Sequence, residues 1–204
     1  MPLIYNNTPD EKGRIMVWHC RESTNELFEM AGSREQFSSV KSERRIRELI
    51  TARLLINKII GHDVPIDYTD TGKPIIKNGH HKLSVAHTAD FVSVYLHKEK
   101  EPGIDIELLT DRIFKIAPKF LSPQEKDLIV SENKNDLYKI WGAKEVAYKI
   151  YGNKGVDFKE DLFCRLQDHD VIYTIHKNNL IQKEYSFHSE ILAEHNLILV
   201  YGED

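Results

Sequence analysis

The sequence predicts an α+β fold in two halves, each with one long helix and several antiparallel strands. Ser42 to Ile60 and Asp136 to Tyr151 carry apolar residues at near-helical spacing, and each stretch ends at a glycine, Gly61 and Gly152. The remaining apolar segments are short, β-prone and bounded by turn residues. Strand and helix do not alternate in the rhythm that builds a parallel sheet, so the strands should pair antiparallel.

In chain order, Arg14 to Cys20 reads as a strand and Ser23 to Ala31 as a short helix. The first long helix has Ile46, Leu49, Ile50, Leu54, Ile56 and Ile59 on its apolar side, with Ser42 as its cap and Arg45 where a capping box wants an acid. Tyr68 to Gly79 is dense in turn residues (Asp70, Gly72, Pro74, Asn78) and reads as loop with a short strand at Ile75-Ile76. Leu83 to His87 and Phe91 to His97 make a hairpin around Thr88-Ala89-Asp90. Glu101-Pro102-Gly103 reads as a break and divides the chain into residues 1–100 and 101–204. Beyond it, Ile104 to Leu108 is a strand, and Ser122-Pro123-Gln124-Glu125 has the cap, proline and acid of a helix start. After the second long helix come strands at Leu162 to Leu166, Val171 to His176, Glu184 to Leu192 and Leu197 to Tyr201.

Composition excludes several roles. Apolar residues make up 41% and charged residues 29% of the chain, too apolar for a disordered protein. No apolar run approaches a membrane span, and the first residues lack the basic and apolar regions of a signal peptide. Two cysteines, Cys20 and Cys164, do not staple a chain of this size, so a reducing cytoplasm is expected; a monomer is expected as well. The net charge of −4 argues against non-specific nucleic-acid binding. Charge is uneven, however: 14 basic and 12 acidic residues run through Lys98, against 14 and 20 from Glu99 onward. A basic half beside an acidic half suits a polyanion on one side and a cation on the other.

The residues themselves single out four places. On a strand, Asp105 and Glu107 share a face opposite Ile104, Ile106 and Leu108. Two carboxylates so placed suit a hard cation such as Mg²⁺, or simply a wet strand face. On the second long helix, Leu137, Ile140, Trp141, Ala147, Tyr148 and Tyr151 form a stripe that includes Lys144. An ammonium on a core-facing stripe must snorkel out or meet an anion. Glu145 and Lys149 lie at the stripe's edge one turn apart, the order of an ordinary surface ion pair. His87 in Ser84-Val85-Ala86-His87-Thr88 stands at a hairpin tip, and Lys41, Arg44, Arg45, Arg47 and Arg53 make the first long helix basic, as a solvated face or an anion site. His80-His81 lacks partners at zinc-ligand spacing. Walker, nucleophile-elbow and dinucleotide fingerprints are missing.

Taken together these pieces resemble the 4′-phosphopantetheinyl transferase superfamily, in its longer surfactin-synthetase form. The resemblance covers roughly Arg47 to Gly155. Its motifs, in family order, are Arg47-Glu48-Leu49-Ile50-Thr51-Ala52-Arg53, Thr71-Gly72-Lys73-Pro74 and Ser84-Val85-Ala86-His87-Thr88. Gly103-Ile104-Asp105-Ile106-Glu107, Phe120-Leu121-Ser122-Pro123-Gln124-Glu125 and Trp141-Gly142-Ala143-Lys144-Glu145-Val146-Ala147-Tyr148-Lys149 complete the set. The Gly-Ile-Asp and Trp-x-x-Lys-Glu-x-x-x-Lys elements are specific as a pair, though each is weak alone.

The resemblance implies two pseudo-twofold-related halves, each a long helix on a small antiparallel sheet, with coenzyme A between them. It implies Mg²⁺-dependent transfer of the phosphopantetheine arm to a serine of an apo acyl or peptidyl carrier protein, the holo-acyl-carrier-protein synthase type of reaction, releasing adenosine 3′,5′-bisphosphate. By the same resemblance Asp105, Glu107 and Glu145 match the metal-binding acids, with Glu145 and Lys149 as catalytic groups. Lys144 and Lys149 match lysines near the pyrophosphate, His87 and Lys73 match coenzyme A phosphate contacts, and Arg47 and Arg53 fall in the basic helix motif. Three departures stand out: Ala86-His87-Thr88 replaces the usual Ser-His-Ser, the glycine segment Tyr151 to Gly155 is one residue longer, and residues upstream of Ser42 offer no match for the adenosine-side cations. The alternatives are a Mg²⁺-dependent phosphodiesterase or nuclease and a non-catalytic relative that binds coenzyme A or a carrier.

Overall fold

The computed structural model describes residues 3–32, 40–77, 79–128, 133–167, 171–177 and 182–204, so Asn78 of the expected turn segment lies outside the described residues. The fold is α+β with antiparallel sheets. In the first half, β1 (Leu3–Asn7), β2 (Gly13–His19), β5 (Lys82–Thr88) and β6 (Phe91–His97) pair in the order β1-β2-β6-β5. Helix α1 (Thr24–Ala31) is closed by a complete Ser23–Glu26 capping box. Helix α2 (Glu43–Ile60) starts where Ser42 accepts from the Arg45 amide and ends at Gly61, whose φ of 92° suits glycine. The short strand expected at Ile75-Ile76 is β4 (Pro74–Ile76), and it pairs with β3 (Ile66–Tyr68) as a separate two-stranded ribbon.

In the second half, β7 (Pro102–Leu108), β8 (Leu162–Leu166), β9 (Val171–Lys177), β10 (Gln182–Leu192) and β11 (Leu197–Glu203) pair in the order β7-β11-β10-β9-β8. Helices α3 (Arg112–Phe120), α4 (Pro123–Leu128) and α5 (Lys134–Tyr151) lie between β7 and β8 in the chain. Two readings need correcting. Pro102 and Gly103 are not a break but the first residues of β7, where proline fits because β7 is an edge strand. Helix α3 escapes notice in the sequence because Asp111 makes no side-chain cap and Pro118 sits inside the last turn; its buried side is Ile113, Ala117 and Phe120.

The strands sort their side chains by parity. Met16 and Trp18 of β2 and Val94 and Leu96 of β6 pack under α2 with Ile50, Leu55 and Ile56. Ile15, Val17 and Tyr95 point the other way, against Ile104, Ile106, Leu199 and Tyr201 of the second half. Ile198 and Val200 of β11 face α5 with Ala143, Val146 and Ala147. The order of layers is therefore α2, first sheet, second sheet, α5, with one apolar cluster shared between the sheets. Polar ties cross the same boundary, among them Tyr5 Oη donating to Glu190 at 2.6 Å, Tyr95 Oη to Glu203 at 2.7 Å, and the Ile104 amide to Ser84 Oγ at 3.1 Å. Among the described residues no helix is long and apolar enough to cross a membrane.

Candidate active site

Alternation along β7 turns Gly103, Asp105 and Glu107 toward α5 while Ile104 and Ile106 enter the shared core. Strand and helix approach closely because glycines stand at the contact. A Cβ on Gly103 would lie 2.8 Å from the Val146 carbonyl oxygen, and one on Gly142 would lie 2.6 Å from Val200 Cγ2. Trp141, Glu145 and Lys149 follow one another at one-turn intervals, so α5 presents all three to the same side. Lys149 Nζ donates to Asp105 Oδ1 at 2.8 Å and to the Ile104 carbonyl at 2.9 Å. Trp141 Nε1 donates to Glu107 Oε1 at 3.3 Å, and Thr88 Oγ1, arriving from the other half, donates to Glu107 Oε2 at 3.3 Å.

Three carboxylates thus crowd around one ammonium. Burial, followed by the nearby Asp105 charge, pushes the Glu145 carboxyl up to about 7, and Glu107 also reduces its acidity while Lys149 pulls the other way. The Glu107 carboxyl is likewise raised, chiefly by burial and then by Asp105. Three carboxylates with excess negative charge are a donor set for a hard divalent cation, so the residues present fit Mg²⁺. Among the described residues no three such groups are already converged to ligating distance. Lys149 sits on Asp105, and Glu107 is held between Thr88 and Trp141.

Two clefts with shared lining follow, the first of them reached by Lys149. The first, of about 210 Å³, is lined by Thr71 to Pro74, Ser84, Val85, Tyr148, Lys149 and Gly152. The second, of about 160 Å³, shares Gly72, Pro74 and Val85 with it and adds Arg45, Glu48, Arg53, Tyr68 and His87. Lys73 Nζ bonds Glu101 and the Lys149 carbonyl, the latter at 3.0 Å. Arg45 Nη1 donates to His87 Nε2 at 3.2 Å, and His87 Nδ1 faces Glu48 Oε1 at 3.3 Å. Burial first, then Arg45, Arg44 and Lys149, pull the His87 pKa down against Glu48, which pulls it up.

The expected cations do not all reach these clefts. Arg53 lines the second cleft but is forked onto Asp63 at 3.1 and 3.3 Å. Arg47 lies away from His87, bonded to the Cys20 carbonyl at 2.7 Å and to Asp90 at 3.4 Å. Lys144 is a correction: its side chain is 0% exposed, and its ammonium is bonded to Glu125 Oε2 at 2.7 Å and to the carbonyls of Phe120, Phe158 and Leu162 at 2.7, 2.7 and 2.8 Å. The anion its place on the stripe demands is a carboxylate of this chain, and no phosphate has access to it. The sequence gives no site role to Glu48, Tyr148 or Trp141, names Arg45 only within the basic run of the first long helix, and offers Thr88 only as a replaced hydroxyl in its motif. Only the Arg44, Arg45 and Glu48 spacing on α2 offered a signal, since residues three and four apart share a helix face.

The half of the chain that supplies the acids, Trp141, Lys144 and Lys149 is also similar to a known family. Residues 101–200 match the family model of the 4′-phosphopantetheinyl transferase superfamily. The matched stretch begins just before β7 and runs into β11, enclosing α3, α4 and α5. The basic residues of the second cleft, His87, Arg45 and Arg53, lie outside the superfamily match. No curated protein matches the chain.

Proposed function

We propose that the protein transfers the 4′-phosphopantetheine arm of coenzyme A to a serine of an apo acyl or peptidyl carrier protein, in a Mg²⁺-dependent reaction that releases adenosine 3′,5′-bisphosphate. The observation that carries this reading is the crowding of Asp105, Glu107 and Glu145 around Lys149, which lines a cleft together with Lys73, next to a second cleft lined by Arg45, Arg53 and His87. The superfamily match over the same acids supports it.

The serine oxygen attacks the β-phosphorus, the bond to the bridging oxygen breaks, and the bisphosphate leaves with that oxygen. Such transfers are catalysed mainly by positioning and by neutralising charge. Mg²⁺ held by Asp105, Glu107 and Glu145 supplies neutralisation and alignment of the pyrophosphate when bound. Glu145, or a water it orients, takes the serine proton. Lys149 steadies the charge growing on the leaving phosphate. Lys73, His87, Arg45 and Arg53 bind the phosphates of the nucleotide end; for Lys73 this means exchanging Glu101 for a phosphate oxygen.

Incubation with coenzyme A, Mg²⁺ and an apo carrier tests the reading by mass spectrometry of the carrier. The expected result is a gain of one phosphopantetheine group, reduced on the order of a hundredfold in Asp105→Ala, the scale of losing one strong electrostatic contribution. Coenzyme A cleaved without any carrier would replace this reading by a hydrolase, and binding without turnover by a non-catalytic relative.

A further inference from the structure

Glu107 is the one acid of the three whose two oxygens are each held by a neutral donor, and the two donors come from different halves of the chain. Trp141 on α5 takes Oε1 and Thr88 at the end of β5 takes Oε2, both at 3.3 Å. A carboxylate offers about four lone-pair sites, so two donors fix its plane and leave sites on both oxygens free. Asp105, by contrast, is held by Lys149, and Glu145 has no hydrogen bond among the described residues.

Thr88 is suited to this role. Alternation on β5 sends Val85 and His87 to the cleft under α2, and Ala86 and Thr88 toward β7. Its branched Cβ leaves few rotamers, so the hydroxyl is held in one direction. The residue after it, Ala89, has a φ of 46°, a left-handed conformation unfavourable for a residue with a Cβ. The hairpin is thus held in a strained turn immediately beside the contact, and one strand end carries both a cleft histidine and a donor to the acid.

We propose that Thr88 is a positioning residue that, together with Trp141, sets the orientation of Glu107 for the divalent cation. This rests on the function proposed above. It assigns the threonine in Ala86-His87-Thr88 to the acid and not to the phosphate. Partners of this kind, one step removed from the metal, are worth about 10–100-fold in metal affinity.

The test is titration with Mn²⁺ in the presence of coenzyme A, read by intrinsic tryptophan fluorescence. Trp141 donates to Glu107, so the paramagnetic ion should quench it, whereas Trp18 lies under α2 in the other half, bonded to Glu22. Thr88→Val keeps the branched shape and removes the hydroxyl. It should raise the half-saturating Mn²⁺ concentration by about tenfold or more, with coenzyme A affinity measured without metal unchanged. Thr88→Ser should restore the wild-type value. Trp141→Phe should lose the quenching while the melting curve confirms its fold. Should Thr88→Val fail to fold, Thr88→Ala carries the same expectation. An unchanged Mn²⁺ titration in the valine or alanine variant, or an equal loss in Thr88→Ser, overturns the inference and leaves the proposed function standing. A wild-type protein that binds coenzyme A but shows no Mn²⁺ response overturns both.

Discussion

At the scale of single residues, charge neutralisation decides which lysine does what. Lys144 and Lys149 are five residues apart on one helix, yet Lys144 is sealed against Glu125 and three carbonyls while Lys149 meets Asp105 at the cleft. Glu125 is equally committed, since it also accepts the Ser122 amide at 2.7 Å and the Cys164 amide at 2.8 Å. Removing the charge from Lys144 leaves a carboxylate buried without its partner, which typically costs about 3–5 kcal/mol. Lys144→Met should therefore lower stability by that order in urea unfolding, with or without coenzyme A, and adding Glu125→Gln should recover part of the loss. Glu145 makes a second prediction. Its carboxyl titrates near 4.5 when unfolded and near 7 when folded, so folding takes up a proton between these values. In metal-free protein its contribution to stability should fall as pH rises from 4.5 to 7 and level off above, and Glu145→Gln should flatten that slope. Mg²⁺ needs the ionised form, so its affinity by calorimetry should be about tenfold weaker at pH 6 than at pH 8.

At the scale of elements, the site is the pairing of β7 with α5. Two carboxylates on a strand and a carboxylate and lysine on a helix meet because Gly103 lets β7 approach α5, while Gly142 lets α5 settle against Val200 of β11. Gly103→Ala places its methyl 2.7 Å from Val146 Cγ1 and 2.8 Å from the Val146 carbonyl, so strand and helix must part. Overpacking of this kind costs about 1–3 kcal/mol. The expected signature is a fall in transfer rate at saturating coenzyme A beyond the change in melting temperature, because Lys149 and Trp141 then lose reach to Asp105 and Glu107. Wild-type transfer kinetics in Gly103→Ala would show that this close approach is not what assembles the site. In the bare sequence Gly103 follows a proline and looks like a chain break, a plausible local meaning that the strand pairing overrides.

At the scale of the whole molecule, two features show that the halves are not independent. Ile15, Val17 and Tyr95 share one apolar cluster with Ile104, Ile106, Leu199 and Tyr201, and Thr88 reaches across to Glu107. Either half alone would expose that cluster, and burial of a large side chain is worth about 1.5–3 kcal/mol. The full chain should therefore unfold in a single calorimetric transition, while residues 1–100 and 101–204 expressed separately should show no cooperative transition. Two resolved transitions in the intact chain would contradict this.

The sequence by itself determined what depends on near neighbours. Helix spacing located α2 and α5 and their glycine ends, the Ser122 to Glu125 box marked α4, and strand alternation put Asp105 and Glu107 on one face. These follow from the periods of 3.6 and 2, which are properties of the local backbone. Tertiary structure alone decided the partners. It gave Lys144 an acid 19 residues away, withdrew Arg47 to Cys20 and Asp90, placed Arg45 and not Arg47 beside His87, and brought Thr88 to Glu107. Neither periodicity nor composition encodes such choices, because a charge on a stripe demands a counter-charge without saying which. Packing of the two sheets and the reach of each side chain select it, and those exist only once the layers have closed.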